Sequence, residues 1–148
     1  MPEKRTIERA RKDARQGKAP TTQAGEFVRE EMEHIREGKH GARSTRQAIA
    51  IGLSKARRAG VKLAPPKPGR TSERTRQQAI RDTRKGESGK TAKPSARRSR
   101  AVSKALKREG RAAASPKALS RQAKSAAQQR KKRGTVTQGT GRRRNKAA

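Results

Sequence analysis

Only fourteen of the 148 side chains are Val, Ile, Leu or Phe, and that scarcity limits what this chain can fold into more than any other feature. They are Val28, Val61, Val102, Val136, Ile7, Ile35, Ile49, Ile51, Ile80, Leu53, Leu63, Leu106, Leu119 and Phe27. Their share, about 9%, lies well under the roughly 20% below which a highly charged chain is expected to stay unfolded. Most of the remaining hydrophobic content is Ala, a strong helix former that buries little area. It offsets little of the roughly 1 to 2 kcal/mol of backbone entropy that each ordered residue loses. The expected class is mostly α with extensive disorder: a small helical hairpin and a basic, Ala-rich tail that is helical only conditionally.

Charge sets the second limit. Forty-three Lys and Arg face twelve Asp and Glu, for a formal net charge of +31. A compact body with that excess repels itself, so a polyanionic partner is implied. Residues 1–74 hold 19 basic and 9 acidic side chains, whereas residues 75–148 hold 24 and 3. The stronger grip on a polyanion therefore lies in the second half.

Local signals divide the chain into five parts. Residues 1–21 form a basic N-terminal arm open to helix formation. Residues 22–63 are the hairpin domain. Its first helix carries Ala24, Val28, Met32 and Ile35 at helical spacing, with Phe27 beside the stripe and Gly38 as a left-handed cap. Its second opens with Ser44 and Gln47 in capping-box spacing and ends at Gly60, where a Schellman turn brings Val61 onto Ala56. Ala48, Ile49, Gly52, Leu53, Ala56 and Ala59 make a narrow apolar stripe along it that allows close approach, so the two helices are expected to pair. The segment KHGARS joins them, which allows either a hairpin or a more open helix-turn-helix. Residues 64–71, with three prolines, read as a semi-rigid linker and domain boundary. Residues 72–86 form a short helix capped by Ser72. Residues 87–148 are a disordered basic tail with helix-prone stretches at 95–109 and 116–133, mostly coil until phosphates relieve their repulsion.

The segment from Gly25 to Gly60, GEFVREEMEHIREGKHGARSTRQAIAIGLSKARRAG, resembles a small uncharacterised bacterial family whose members are often labelled DNA-binding or plasmid-stabilisation proteins. The resemblance rests on a helix ending in Gly38 and Lys39 and on RQAIAIGLSKARRAG from Arg46 to Gly60. It implies DNA or plasmid maintenance as the setting and assigns no site. The tail is similar in composition to those of linker histones and bacterial histone-like proteins.

Catalytic signals are weak. The only histidines, His34 and His40, are six apart, a spacing that does not place both on one helix face, so neither a metal pair nor a cofactor site is expected. No Cys is present, no phosphate-binding glycine loop occurs, and Phe27 is the sole aromatic. The acidic run Glu26, Glu30, Glu31, Glu33 and Glu37 reads as a solvated face with ion pairs to Arg29 and Arg36, or as a patch that holds basic segments when nucleic acid is absent. The start lacks the apolar run of a secretory signal, and no stretch approaches the roughly 18 apolar residues of a membrane span. The expected location is the cytoplasm, at the nucleoid.

What remains are clusters of cations: Arg57 and Arg58; Arg97, Arg98 and Arg100; Lys107, Arg108 and Arg111; Arg130, Lys131, Lys132 and Arg133; and Arg142, Arg143, Arg144 and Lys146. Together they have the footprint of phosphate-backbone binding with little sequence preference. The leading expectation is a non-enzymatic, nucleoid-associated DNA-binding protein, with no small-molecule substrate and homodimerisation through the hairpin as an option. An RNA- or ribosome-associated basic protein and an interaction module of a plasmid-maintenance system are the alternatives.

Overall fold

The computed structural model describes residues 2–89 and 95–144, with side chains through residue 133. The described residues are helical and contain no strand: α1 (Lys4–Arg15), α2 (Pro20–Arg36), α3 (Thr45–Arg58), α4 (Glu73–Glu87), α5 (Ala96–Arg108), a short 3-10 turn (Ala112–Ala114) and α6 (Pro116–Arg144). They form two units, residues 1–114 and residues 115–148.

Helix ends in the first unit follow their local chemistry. Gly17, Gly38 and Gly60 adopt φ of 70°, 76° and 91° after α1, α2 and α3. After α3 the Val61 N–H donates to the Ala56 carbonyl and Gly60 N–H to that of Arg57, the paired bonds of a Schellman motif. The same pair follows α2, from Lys39 to His34 and from Gly38 to Ile35. Ser44 Oγ caps α3 by accepting from Gln47 N–H at 3.2 Å. The return bond differs from a capping box, because Gln47 Oε1 accepts from Arg43 N–H rather than from Ser44.

The core sits where α1, α2 and α3 meet. Ala10, Ala24, Phe27, Ala56 and Val61 are buried together, with Ile7, Leu53 and Leu63 against them. Phe27 and Ile35 are the largest apolar side chains fully enclosed. Small residues let the helices approach closely: a Cβ on Gly52 would sit 2.7 Å from Val28 Cα. The N-terminal arm thus contributes to the core, with Arg9 reaching Glu26 of α2 at 3.5 Å.

The Pro-rich stretch is not a domain boundary. After residues 64–71 the chain turns back and α4 packs on α3, so the division falls at Ala114 and Ser115 instead. The fastening is polar: buried Asp82 of α4 accepts from Ser54 Oγ (2.6 Å) and Arg58 Nε (2.7 Å) of α3. The end of α5 is tied in as well, since Gly41 N–H donates to Leu106 O and Ala42 N–H to Gly110 O. Thr45 Oγ1 donates to Ala113 O (2.7 Å) and Arg36 Nε to Ala114 O (3.0 Å).

Residues 96–108 and 116–144, expected to be coil on their own, are helical here. Ala, Lys and Arg are strong helix formers, and in the second unit Ser115 caps α6 by accepting from Ala118 N–H, with Pro116 in the first turn. Among its described side chains α6 buries none.

Candidate nucleic-acid interface

A phosphate grip needs cations that are exposed, close together and not already paired, and the cations differ sharply on these counts. Arg57 is a correction to the sequence reading. It is 7% exposed, and its guanidinium donates to the Leu63 and Ala64 carbonyls at 3.3 Å each. Burial pulls its pKa below the ordinary arginine value, opposed by the nearby Asp82 charge, but an arginine stays cationic throughout. Arg57 therefore braces the chain leaving α3. Replacing it with Ala should lower the stability of the folded chain by about 1–3 kcal/mol, measured by urea unfolding, and leave the salt dependence of nucleic-acid binding unchanged. Arg58 is half-exposed but paired with Asp82.

α5 has the opposite character. It carries Arg97, Arg98, Arg100, Lys104, Lys107 and Arg108 in thirteen residues, with no acid, and buries none of its side chains. Arg100, Ser103, Lys104, Lys107 and Arg108 line one shallow surface. Their spacing of three and four residues places them on a single helix face, a row of four cations about 12 Å long at 1.5 Å per residue. Lys104 was absent from the clusters read off the sequence. Those clusters followed adjacency along the chain, whereas the helical period exposes it. Arg111, beyond the end of the helix, is exposed too.

In the second unit, Arg130, Lys131, Lys132 and Arg133 are exposed along α6. Lys117, Arg121 and Lys124 precede them, equally exposed. The side chains of Arg142, Arg143 and Arg144, and Lys146 altogether, lie outside the described residues.

The acidic run of α2 is not the solvated face expected of it. Glu30 and Glu31 are 3% and 0% exposed. Lys55 of α3 bridges them, 3.3 Å from Glu30 Oε1 and 2.7 Å from Glu31 Oε2. Only Arg29 and Glu33 form the intrahelical pair read from spacing, at 3.0 Å. The patch thus holds a basic side chain of its own fold.

The histidines also depart from expectation. α2 ends at Arg36, and the Gly38 turn reverses the chain so that His40 returns beside His34, ring centroids 6.0 Å apart and nearly perpendicular. Ring nitrogens of both and a carboxylate oxygen of Glu31 lie within 4.8 Å of one another. Glu3 joins from the start of α1, 2.8 Å from His34 Nε2 and 3.2 Å from Lys39 Nζ. Hydrogen bonds from His34 and Lys39 hold the Glu3 carboxyl below the usual carboxylate range.

These features define, among the described residues, a helical protein whose last two helices, α5 and α6, carry no acid and expose cations. Residues 3–68 match a family of unknown function (DUF6496), a stretch that ends before α4. No curated protein and no solved structure matches the chain. Among the described residues no helix is long and apolar enough to cross a membrane.

Proposed function

We propose that this protein binds nucleic-acid backbones without catalysis, with duplex DNA as the first candidate and the nucleoid as its place of work. The observation that carries the reading is the row Arg100, Lys104, Lys107 and Arg108 on one face of α5. A helix with no fully buried side chain contributes little packing of its own. Its cations gain most where a phosphate strand releases counterions to meet them. The α6 cations extend the same chemistry, and helices α1 to α4 act as the body that presents α5.

Two further facts favour phosphate contact over base reading. The single aromatic, Phe27, is 1% exposed, so it offers no platform on which unpaired bases stack. The apolar stripe of α3 is used within the chain, where it packs against α2, and Val102 is the one large apolar side chain exposed among the described residues. The reading needs no second copy to present its cationic face, and plasmid maintenance is one setting such a binder suits.

If about eight phosphates are neutralised, log K against log salt concentration should slope near −7, with micromolar-range affinity at physiological salt. Fluorescence anisotropy on an unrelated duplex across a salt series measures it. A slope shallower than about −2 contradicts the proposal. Crosslinking followed by sequencing of the bound strand, with structured RNA as competitor, assigns DNA or RNA as the ligand.

A further inference from the structure

The geometry points to a divalent transition-metal site, of the kind that takes Zn2+ or Co2+, formed by Glu31 and His34 of α2 and His40 of the loop that follows. Glu31 and His34 are three residues apart, the spacing that stacks two side chains on one helix face. Gly38 supplies the reversal that adds His40 from outside the helix. Two imidazoles and a carboxylate suit borderline metals, and three protein ligands leave a fourth position for water.

Independent of that clustering, Glu31 itself calls for a cation. It is 0% exposed, yet neither carboxylate oxygen has an aligned hydrogen-bond donor. Lys55 Nζ and His40 Nε2 stand at ion-pair distance, 2.7 and 3.3 Å, without hydrogen-bond alignment. A buried carboxylate left in that state is costly, and Lys55 is shared with Glu30.

The imidazoles are set for ligation. His40 Nδ1 lies 3.1 Å from the Gly41 carbonyl, which can only accept, so the proton is on Nδ1. In the neutral ring Nε2 then carries a lone pair and faces Glu31 Oε1, another electron-rich atom. A positive centre between them resolves the repulsion. His34 Nε2 likewise gives its proton to Glu3, which leaves Nδ1 as the bare nitrogen of that ring. A metal-binding histidine whose other nitrogen donates to a carboxylate or a carbonyl is the usual arrangement around such ions.

The nearby lysines are each shared between two carboxylates: Lys39 between Glu3 and Glu37, and Lys55 between Glu30 and Glu31. Tetrahedral ligation places donors about 3.3 Å apart, so the ring and carboxylate atoms would close by roughly 1.5 Å at most. The loop that carries His40 also bonds the end of α5 through Gly41 and Ala42, so metal binding would stiffen the support of that helix.

The test uses the full, untagged, nucleic-acid-free chain titrated with Co2+ and then Zn2+. One Co2+ per chain is expected, with visible d–d absorption that Zn2+ abolishes. Because the chain has two histidines in all, NMR of the imidazole nitrogens reads both without mutation, and Zn2+ should shift both. H40Q should weaken Zn2+ affinity more than a hundredfold, and E3Q, which leaves the three ligands intact, ten- to a hundredfold. Far-UV circular dichroism of each variant separates lost ligation from lost fold. Unshifted imidazole signals at saturating Zn2+ overturn the site. Binding that H40Q and E3Q leave unaltered, in folded protein, overturns it equally.

Discussion

Replacing Arg100, Lys104, Lys107 and Arg108 together with Gln should weaken binding to duplex DNA about a thousandfold at physiological salt. Each neutralised phosphate adds about 0.9 to the salt slope. At roughly 0.15 M salt that amounts to about 0.7 of a log unit in affinity per contact, so four contacts give about three. The slope itself should fall from near −7 to about −3.5, which separates a lost electrostatic contact from general damage. Damage is not expected, because α5 buries no side chain and Gln is nearly as good a helix former as Lys or Arg. Within the row, Arg100 Nε donates locally, to the Ala96 carbonyl one turn back. The measurement is anisotropy of a labelled duplex over a salt series, with helicity checked in parallel. A fourfold variant that binds with the wild-type slope would show that the face of α5 does not touch the backbone. The grip would then be sought on α6.

How much of this was legible beforehand depended on distance along the chain. The Gly60 and Val61 turn, the Ser44 cap, the Ser72 cap and the burial of Phe27 are set by neighbours three to five residues away or by apolar spacing, and the sequence displays both. The contacts that assemble the first unit do not have this property. Lys55 meets Glu30 and Glu31 from about 25 residues away, and Arg58 meets Asp82 from 24. Nothing local marks a carboxylate as buried when its partner lies on another helix. Glu30 and Glu31 therefore looked like part of a wet face, and the prolines of residues 64–71 looked like a boundary. Arg57 and Arg58 formed a cluster by adjacency, yet a helix turns about 100° per residue, which sends one inward to backbone carbonyls and the other to Asp82. The same period hid Lys104, and a turn at Gly38 hid the meeting of His34 with His40.

Asp82 shows what such a distant contact does for stability. It is 1% exposed, and its carboxylate accepts from Ser54 Oγ, Arg58 Nε and Gln78 Nε2 at 2.6, 2.7 and 3.0 Å. Its charge also opposes the desolvation of Arg57. D82A removes the acceptor from all three donors, leaves the half-buried Ser54 hydroxyl without it, and leaves the buried Arg57 charge to the Leu63 and Ala64 carbonyls alone. Removing one partner of a buried ionic network typically costs about 3–5 kcal/mol, and the half-exposed Arg58, which can turn to water, places this case near 3. That is a large share of the roughly 5–15 kcal/mol that holds an ordinary domain together. R58A should cost less than D82A, because the half-exposed guanidinium is the more solvated partner and Ser54 and Gln78 still serve the carboxylate. Urea unfolding measures both variants. Hydrogen exchange locates the loss, which should appear first as lower amide protection over Glu73–Glu87, with α2 less affected. If D82A unfolds at the wild-type urea concentration, the carboxylate is not what fastens α4 to α3. The apolar contact of Ala79, together with the close approach of Gly86 to the Arg57 carbonyl, would then hold the two helices together.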